Sequence, residues 1–339
     1  MSAAVLISVV VPVFNEETAI GPFVAAVQTV LNEAASGPAG PIDHEIVFVD
    51  DGSGDATAAA IRNAASDDPR VRGVLLSRNF GKEAAMTAGL AEAHGDAVIV
   101  MDVDLQDPPE LVARMIDRWR AGAKVVAARR IDRSADSALK RLTAGWFYRL
   151  HNRISAIQIP ENVGDFRLLD RAAVDAVNAL PENRRFMKGL FAWIGFNTEF
   201  VDFRRPARET GESKFSGWRL WRFAVEGITS FSELPLVVWT YIGFTVSMLA
   251  LGFAGWIIVK TLAFGIDTPG YASTLVVTLF LGGMQLLGIG VLGEYIARIY
   301  DEAKRRPPYV IAERIDGDAR PVAGQTEKPA MVRPLPTGK

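Results

Sequence analysis

The sequence contains no cysteine among its 339 residues, which excludes disulfide bonds, thiolate nucleophiles and cysteine-ligated zinc. Histidine is nearly as scarce, because His44, His94 and His151 are the only three and share no metal-ligand spacing. Acidic and basic side chains almost balance, with a formal net charge of -2 at pH 7, so charge offers no argument for a nucleic-acid partner. The absence of cysteine therefore removes the function classes that depend on thiol chemistry.

Charged residues are also absent from two long stretches, residues 234–259 and residues 268–293. About 20 apolar residues cross the hydrocarbon core of a bilayer, so each stretch predicts a transmembrane helix. The only charged residues of the loop between them are Lys260 and Asp267. Basic residues flank the pair of stretches on the other side, at Arg219, Arg222, Arg298, Lys304, Arg305 and Arg306. The positive-inside rule then predicts a multi-pass plasma-membrane protein with both termini and the N-terminal domain in the cytoplasm.

The N-terminal part alternates apolar strands with helical segments. Strands are predicted at residues 5–13, 45–49, 71–76 and 97–101, and helices at residues 19–31, 57–65, 82–93 and 110–121. This alternation predicts an α/β domain with a mostly parallel sheet and right-handed crossovers. The first apolar run fits a strand better than a signal sequence, since no basic segment precedes it and polar residues follow it.

A burst of carboxylates, Asp102-Val-Asp104-Leu-Gln106-Asp107, follows the fourth predicted strand. Two carboxylates one residue apart on an extended backbone point roughly the same way, so Asp102 and Asp104 could share one divalent cation. The Gln106 amide oxygen is next in line. The alternative is a solvated acidic turn before a helix.

Two more polar clusters, Asn15-Glu16 and Asp50-Asp51, stand at the ends of the first and second predicted strands. Ligands of open α/β sheets bind beyond the carboxyl ends of the strands. The three clusters are therefore predicted to converge on one crevice that suits a metal-bound diphosphate.

Aromatic and arginine residues alternate just before the first apolar stretch. Trp218, Arg219, Trp221, Arg222 and Phe223 lie in this segment. Such a composition is typical of an interfacial helix, where rings sit among headgroups and guanidinium groups meet phosphates. The alternative is a helix that packs on the N-terminal domain.

Five motifs, in this order, resemble those of family 2 glycosyltransferases. They are Val11-Pro-Val-Phe-Asn-Glu-Glu17, Val49-Asp-Asp-Gly-Ser53, Asp102-Val-Asp-Leu-Gln-Asp-Pro108, Gly164-Asp-Phe-Arg-Leu-Leu169 and Arg208-Glu-Thr-Gly-Glu-Ser-Lys214. Within that family the chain is similar to dolichyl-phosphate mannose synthases and, through its two apolar stretches, to bacterial bactoprenol-phosphate glucosyltransferases. The resemblance implies a GT-A (Rossmann-like) fold and covers about residues 5–311.

The resemblance also implies residue roles on the donor side. Pro12, Asn15, Glu16, Asp50 and Asp51 are expected to line the nucleotide-sugar pocket, with Asp50 accepting a hydrogen bond from the base. Asp102, Asp104 and Gln106 are expected to hold Mg²⁺ or Mn²⁺ against the donor diphosphate. Lys82 is a further donor-binding candidate. An ordinary turn at Asp50 and a solvated Lys82 are the alternatives.

On the acceptor side, a polyprenyl phosphate must approach a metal-bound diphosphate, so fixed cations must hold it. Arg129, Arg208, Ser213 and Lys214 are the expected lipid-phosphate ligands, although any one cation alone could be a solvated surface charge. The family pattern marks Asp165 as the catalytic carboxylate. In transfer to a hydroxyl this carboxylate would be a general base, but a phosphate monoester is largely ionised at neutral pH and hardly needs one. We therefore expect Asp165 in part to orient the nucleophile, with Arg167 as a possible intermediary, and a structural Asp165–Arg167 pair is the alternative.

The sequence thus predicts an inverting, metal-dependent transferase that moves one sugar, glucose from UDP-glucose, to undecaprenyl or another polyprenyl phosphate. Its expected divisions are a cytoplasmic domain (1–214), an interfacial segment (215–233), two membrane helices (234–297) and a basic tail with a disordered end (298–339). Other donors (GDP-mannose, UDP-N-acetylglucosamine, UDP-aminoarabinose), a processive polysaccharide synthase and a catalytically dead scaffold for a flippase stay open. Glycines 282, 283, 288 and 290 would permit close helix packing, including between copies in a homo-oligomer.

Overall fold

A computed structural model of the chain describes residues 4–35, 41–131, 160, 162–183, 185–203, 234–264 and 270–316. Its strands are β1 (Val5–Val13), β2 (Ile42–Asp50), β3 (Val71–Leu76), β4 (Ala97–Val100), β5 (Val125–Arg130), β6 (Val163–Asp170), β7 (Thr198–Phe203) and β8 (Ile311–Asp316). Its helices are α1 (Ile20–Ala35), α2 (Thr57–Asp67), α3 (Lys82–Glu92), α4 (Leu111–Arg120), α5 (Arg171–Ala179), α6 (Met187–Trp193), α7 (Leu234–Phe264) and α8 (Tyr271–Ala303).

The described strands form one sheet in the order β7-β5-β6-β4-β1-β2-β3-β8. The pairs β1–β2, β1–β4, β2–β3 and β5–β7 are parallel, whereas β6 runs antiparallel to both β4 and β5, and β8 runs antiparallel to β3. Chain order and spatial order diverge between β1 and β4, and such a switch point opens a crevice beyond the strand ends. The predicted mostly parallel α/β sheet is confirmed.

Both faces of the sheet are covered, which explains the valine-rich strands. Residues 7–13 of β1 are all buried, so the strand carries a continuous apolar run rather than an alternating one. On one face α1 packs Phe23 edge-on against Phe48 of β2, with ring centroids 5.8 Å apart. On the other face α3 packs Met86 and Leu90, together with residues of α5 and α6. This second face carries side chains of the candidate site described below.

The predicted strands and helices of the first 121 residues are all present, with ends that differ by up to four residues. Strand β8 has no counterpart among the elements predicted from the sequence. This strand adds an antiparallel edge to β3, and Arg314 donates two hydrogen bonds, of 2.7 and 3.0 Å, to the Glu92 carboxylate at the end of α3. Residues 311–316 therefore belong to the sheet of the N-terminal domain.

The two C-terminal helices expose apolar side chains along their length. Leu249 and Leu262 of α7 are 70% and 82% exposed, and Leu286 of α8 is 70% exposed. Among the described residues, one helix segment, Phe280–Ala303, is long and apolar enough to cross a membrane by length and composition. Two transmembrane helices are thus not confirmed. The predicted interfacial segment 215–233 lies outside the described residues.

Gly288 of α8 faces the indole of Trp239 on α7, so a Cβ at this position would collide with the ring. The glycine thus serves contact between the two helices of one chain. No contact of the described residues bears on packing between copies of the chain.

Candidate active site

The C-terminal ends of β1, β2 and β4 meet at one cleft, as their order in the sheet requires. The cleft has a volume of about 350 Å³ and is open to solvent. It is lined by Pro12, Val13, Phe14, Glu16, Asp51, Asn79, Gly81, Lys82, Ala85, Asp102, Val103 and Asp104. A volume in this range is typical of small-molecule sites.

The two aspartates at the end of β2 do different things. Asp50 is buried and its carboxylate accepts hydrogen bonds from the backbone N–H and hydroxyl of Ser53, at 3.0 and 2.5 Å, so it shapes the turn. Asp51 lines the cleft and accepts from the backbone N–H groups of Phe80 and Gly81, at 2.7 and 2.8 Å. Asp51 therefore holds the loop that leads into α3, and a contact between Asp50 and the base stays a prediction.

The Asn15-Glu16 cluster is held in a strained turn after β1. Asn15 has a φ of 56°, in the left-handed region, and its side-chain oxygen accepts from the Gly54 N–H at 2.9 Å. Asn15 thus ties the turn to the Asp50–Ser53 loop, while Glu16 lines the cleft. Burial, and then the negative charges of Asp104 and Asp55, raise the pKa of Glu16.

The D-x-D segment has the features of an oxygen-ligand site. Leu105 has a φ of 52°, a strained conformation for a branched side chain, and the Gln106 N–H donates to Asp104 Oδ1 at 3.1 Å. The Gln106 side-chain oxygen is buried without a hydrogen-bond partner, which is costly unless a ligand satisfies it. Asp102, Asp104 and Gln106 fit a hard divalent cation in donor type, although the described residues contain no group of three or more His, Cys, Asp or Glu arranged as a metal site.

Lys82 joins the D-x-D segment to the predicted catalytic carboxylate. Its Nζ lies 2.6 Å from Asp102 Oδ1 and 2.8 Å from Asp165 Oδ2. Lys82 stands at the first turn of α3, immediately after Gly81, which has a φ of 102°. One ammonium group therefore connects carboxylates from the ends of β4 and the start of β6, two strands that are neighbours in the sheet.

The charges of this cluster keep Asp165 ionised. Burial on its own raises the pKa of Asp165, but the cations Lys82 and Lys188 more than offset burial, and the pKa lies below its usual value. Burial likewise lowers the pKa of Lys82, and Asp165 and Asp102 reverse that effect, so the pKa of Lys82 is raised. The lysine is charged and the aspartate is a poor base at neutral pH.

Arg167 does not form a close ion pair with Asp165, which is the structural alternative for these two residues. Its Nη2 donates to the Gly164 carbonyl at 2.7 Å, and its guanidinium lies 4.0 Å above the centroid of the Phe191 ring on α6. Burial lowers the pKa of Arg167 to about 10. Asp165 feels the charge of Arg167 at longer range, while its direct ion pair is with Lys82.

Sequence reasoning missed Glu83 and α6. The Glu83 side chain accepts a 2.9 Å hydrogen bond from the backbone N–H of Met187, the first residue of α6. Burial, and then the charge of Asp165, raise the pKa of Glu83 to about 7. The sequence shows that Glu83 follows Lys82. The contact between Glu83 and Met187, however, joins residues 104 apart, and no local pattern predicts it.

The predicted lipid-phosphate ligands divide into two groups. Arg129 donates to both oxygens of Asp202, at 2.7 and 3.1 Å, and its guanidinium lies 4.9 Å from the Phe200 ring centroid. It lines a separate surface pocket, together with Arg130 and Asn162. Arg208, Ser213 and Lys214 lie outside the described residues.

The chain is similar over most of its length to proteins with a common description. It is 54% identical over 305 residues to a "Bactoprenol glucosyl transferase" of Shigella phage SfV, covering 90% of this chain and 97% of that protein. It is 52% identical, over 90% of this chain and 98% of the relative, to a "Prophage bactoprenol glucosyl transferase homolog" of Escherichia coli K12.

Solved structures show more distant likeness. A mannosyltransferase from Pyrobaculum calidifontis, in complex with GDP-Man and Mn²⁺, is 17% identical, covers 89% of this chain and 88% of its own, and gives a TM-score of 0.41. Glucosyl-3-phosphoglycerate synthase from Mycobacterium tuberculosis, in complex with Mn²⁺, UDP and phosphoglyceric acid, is 19% identical, covers 66% and 75%, and gives a TM-score of 0.43.

The family model described as glycosyl transferase family 2 matches residues 8–177, about half of the chain. This match includes the strand-end clusters, Lys82, the D-x-D segment and Asp165. Together with relatives that are more than 50% identical over nearly the whole chain, it establishes that the protein belongs to glycosyl transferase family 2.

Proposed function

We propose that this glycosyltransferase moves one glucose from UDP-glucose to a polyprenyl phosphate at the cytoplasmic face of a membrane. The observation that carries the proposal is the Lys82 bridge between Asp102, in the expected donor half of the cleft, and Asp165, in the expected acceptor half. Glucose transfer to bactoprenol is the activity in the names of the relatives, and at more than 50% identity the same substrates are the best candidates here.

The donor is proposed to occupy the cleft between the ends of β1, β2 and β4. Asp51, Pro12 and Glu16 line its nucleotide side, and Asn15 and Asp50 shape the loops that frame it. The ring of Phe14 lines the same cleft and is 45% exposed, which leaves a face free to stack on a base.

A divalent cation, Mg²⁺ or Mn²⁺, would be held by Asp102, Asp104 and the Gln106 side-chain oxygen, which is buried without a hydrogen-bond partner. When bound, the cation offsets charge on the diphosphate as it leaves. Because Lys82 contacts Asp102, its ammonium group adds a second positive charge beside the same leaving group.

In the reaction, an oxygen of the lipid phosphate attacks the anomeric carbon, the bond from that carbon to the diphosphate breaks, and UDP leaves with the bonding electrons. A single displacement inverts the configuration at this carbon. The phosphate is largely dianionic at neutral pH and needs no proton removed, so the low pKa of Asp165 suits an orienting role. Lys82 holds the Asp165 carboxylate in place at 2.8 Å.

For the membrane, we propose that α7 and α8 both span the bilayer, with the sheet domain and both termini in the cytoplasm. The exposed apolar side chains of both helices support this arrangement, since such surfaces need a nonaqueous environment. Residues 215–233 are proposed to lie in the headgroup layer between the sheet domain and α7, where the acceptor phosphate emerges.

The donor sugar is tested with detergent-purified protein, undecaprenyl phosphate and a panel of nucleotide sugars. Transfer from UDP-glucose should exceed transfer from GDP-mannose, UDP-N-acetylglucosamine and UDP-aminoarabinose. Asp104→Asn should abolish transfer and weaken Mn²⁺-dependent UDP binding, whereas Asp117→Asn, at an exposed position of α4, should do neither. Preference for another donor would overturn the glucose assignment. If the protein neither hydrolysed any of these nucleotide sugars nor transferred a sugar from them, a scaffold would be favoured.

A further inference from the structure

Asp165 lies on the face of β6 that α3 and α6 cover, and each of these helices carries a lysine whose charge acts on Asp165. Lys82 is committed to Asp165 and Asp102 on the donor side. Lys188, the second residue of α6, also lowers the pKa of Asp165. No hydrogen bond or close ion pair joins its ammonium group to another described residue, so its N–H groups can donate to a ligand.

Lys188 and Arg167 line one small cavity against α6, together with Val163, Phe191 and Thr198. Arg167 is 5% exposed, is fixed by the Gly164 carbonyl and the Phe191 ring, and has a buried Nε without a hydrogen-bond partner. It therefore supplies immobile positive charge, whereas Lys188 is only half-buried and has a flexible stem that can reach outward.

The position of Lys188 is set by α6 rather than by its own contacts. The Glu83 carboxylate on α3 holds the first N–H of α6 at 2.9 Å, one residue before Lys188. Phe191, one turn later, stacks on Arg167. The same short helix thus carries Lys188 and contacts Arg167, and the two cations line one cavity.

A phosphate placed against Asp165 brings like charges together in a partly buried site and needs an uncommitted cation. Arg129 would first have to leave Asp202, to which it donates two hydrogen bonds, and Phe200. Lys188 would break no hydrogen bond or close ion pair with a described residue in order to bind the phosphate. The charge balance therefore favours Lys188 over Arg129.

We propose that Lys188 binds the phosphate of the acceptor and holds its attacking oxygen beside Asp165. This inference rests on the proposed function, because it assumes a phosphate monoester as the nucleophile. Lys188 stays protonated throughout, and the phosphate oxygen alone forms the new bond to the anomeric carbon.

The test compares Lys188→Ala, Lys188→Arg and the control Lys124→Ala, whose lysine pairs with Asp170 at the far end of β6. Lys188→Ala should raise the apparent KM for undecaprenyl phosphate about tenfold or more, while calorimetry shows UDP-glucose affinity unchanged within about twofold. Lys188→Arg should recover most of the loss because it keeps the charge, and Lys124→Ala should match the wild type.

An unchanged KM for the acceptor in Lys188→Ala would overturn the assignment, and so would an equal loss of UDP-glucose affinity, which would put Lys188 on the donor diphosphate. Thermal unfolding of Lys188→Met, which keeps the length of the stem, shows whether a loss comes from misfolding. A wild-type enzyme that cannot use undecaprenyl phosphate would refute the proposed function itself. An active wild type with insensitive Lys188 variants would refute this inference alone.

Discussion

Asp165 and Glu83 are carboxylates of one cluster that titrate in different ranges. Lys82 and Lys188 offset the burial of Asp165 and keep its pKa low, whereas Glu83 lacks a direct cation contact among the described residues and its pKa rises to about 7. At neutral pH Asp165, the proposed orienting carboxylate, is thus ionised. This difference separates an orienting Asp165 from a general base.

Asp165→Asn is expected to lower kcat while the small residual rate stays flat as pH rises above neutral. The amide can still orient part of the acceptor, and no missing base exists for hydroxide to replace. The measurement is the pH dependence of kcat for the variant and the wild type between pH 6 and about 9. A log-linear recovery of the variant with pH would restore the general-base role.

At the scale of elements, the strands and helices of the first 121 residues could be predicted because local patterns specify them. Continuous apolar runs marked β1 to β4, and the polar clusters at their ends marked the cleft. The Lys82–Asp165 contact joins residues 83 apart in the chain, and Glu83 meets Met187 across 104. No local pattern encodes such contacts.

The C-terminal strand β8 was missed for a related reason. Its sequence, Ile-Ala-Glu-Arg-Ile-Asp, has three charges in six residues and looks like a solvated tail. The charges are satisfied at the edge of the sheet, where Arg62 binds Glu313 and Arg72 binds Asp316. Charged side chains on an edge strand also limit pairing with other chains.

Glu83 joins α3 to α6 at a cost in stability that depends on pH. The unfolded chain releases the Glu83 proton near pH 4.5, but the folded protein holds it until about pH 7. Stability is therefore lost as pH rises through this window, and the loss is complete above pH 7, at roughly 3.5 kcal/mol from about 1.4 kcal/mol per pH unit.

Glu83→Gln keeps an acceptor for the Met187 N–H and cannot ionise. It should raise the melting temperature at pH 8 and leave it nearly unchanged at pH 4.5, as measured in detergent by thermal unfolding. Glu83→Ala is the matched comparison, since it also removes the hydrogen bond. A glutamine variant that is less stable than the wild type at pH 8 would show that the ionised carboxylate stabilises the fold.

At the scale of the whole molecule, the end of α8 contacts the sheet domain close to the site. Both carboxylate oxygens of Glu302 accept from the Asn183 N–H, at 3.0 and 3.1 Å, in the loop that leads into α6. With β8 paired to β3 directly afterwards, residues 302–316 fix the sheet domain to the helix proposed to cross the bilayer. Such a joint would set the height of the cleft above the lipid headgroups.

Glu302→Ala should therefore impair the use of a membrane-embedded acceptor more than the use of a soluble one. We expect kcat/KM to fall severalfold for undecaprenyl phosphate in vesicles and to change little for a short-chain prenyl phosphate in solution. Glu302→Gln, which keeps the acceptor oxygen, should lose less. Equal losses for the two acceptors would indicate a general defect in folding or in the site.

The central claim, that the Lys82-bridged carboxylates serve transfer of a single glucose to a lipid phosphate, is tested most directly by the product. Purified enzyme, Mn²⁺, UDP-glucose and undecaprenyl phosphate should yield a lipid whose mass increases by one hexose, with the β configuration that inversion of the α-linked donor requires. Asp165→Asn should form far less of it and Asp117→Asn the normal amount. A lipid that carries several sugars, an α-linked product or no glucosylated lipid at all would contradict the account.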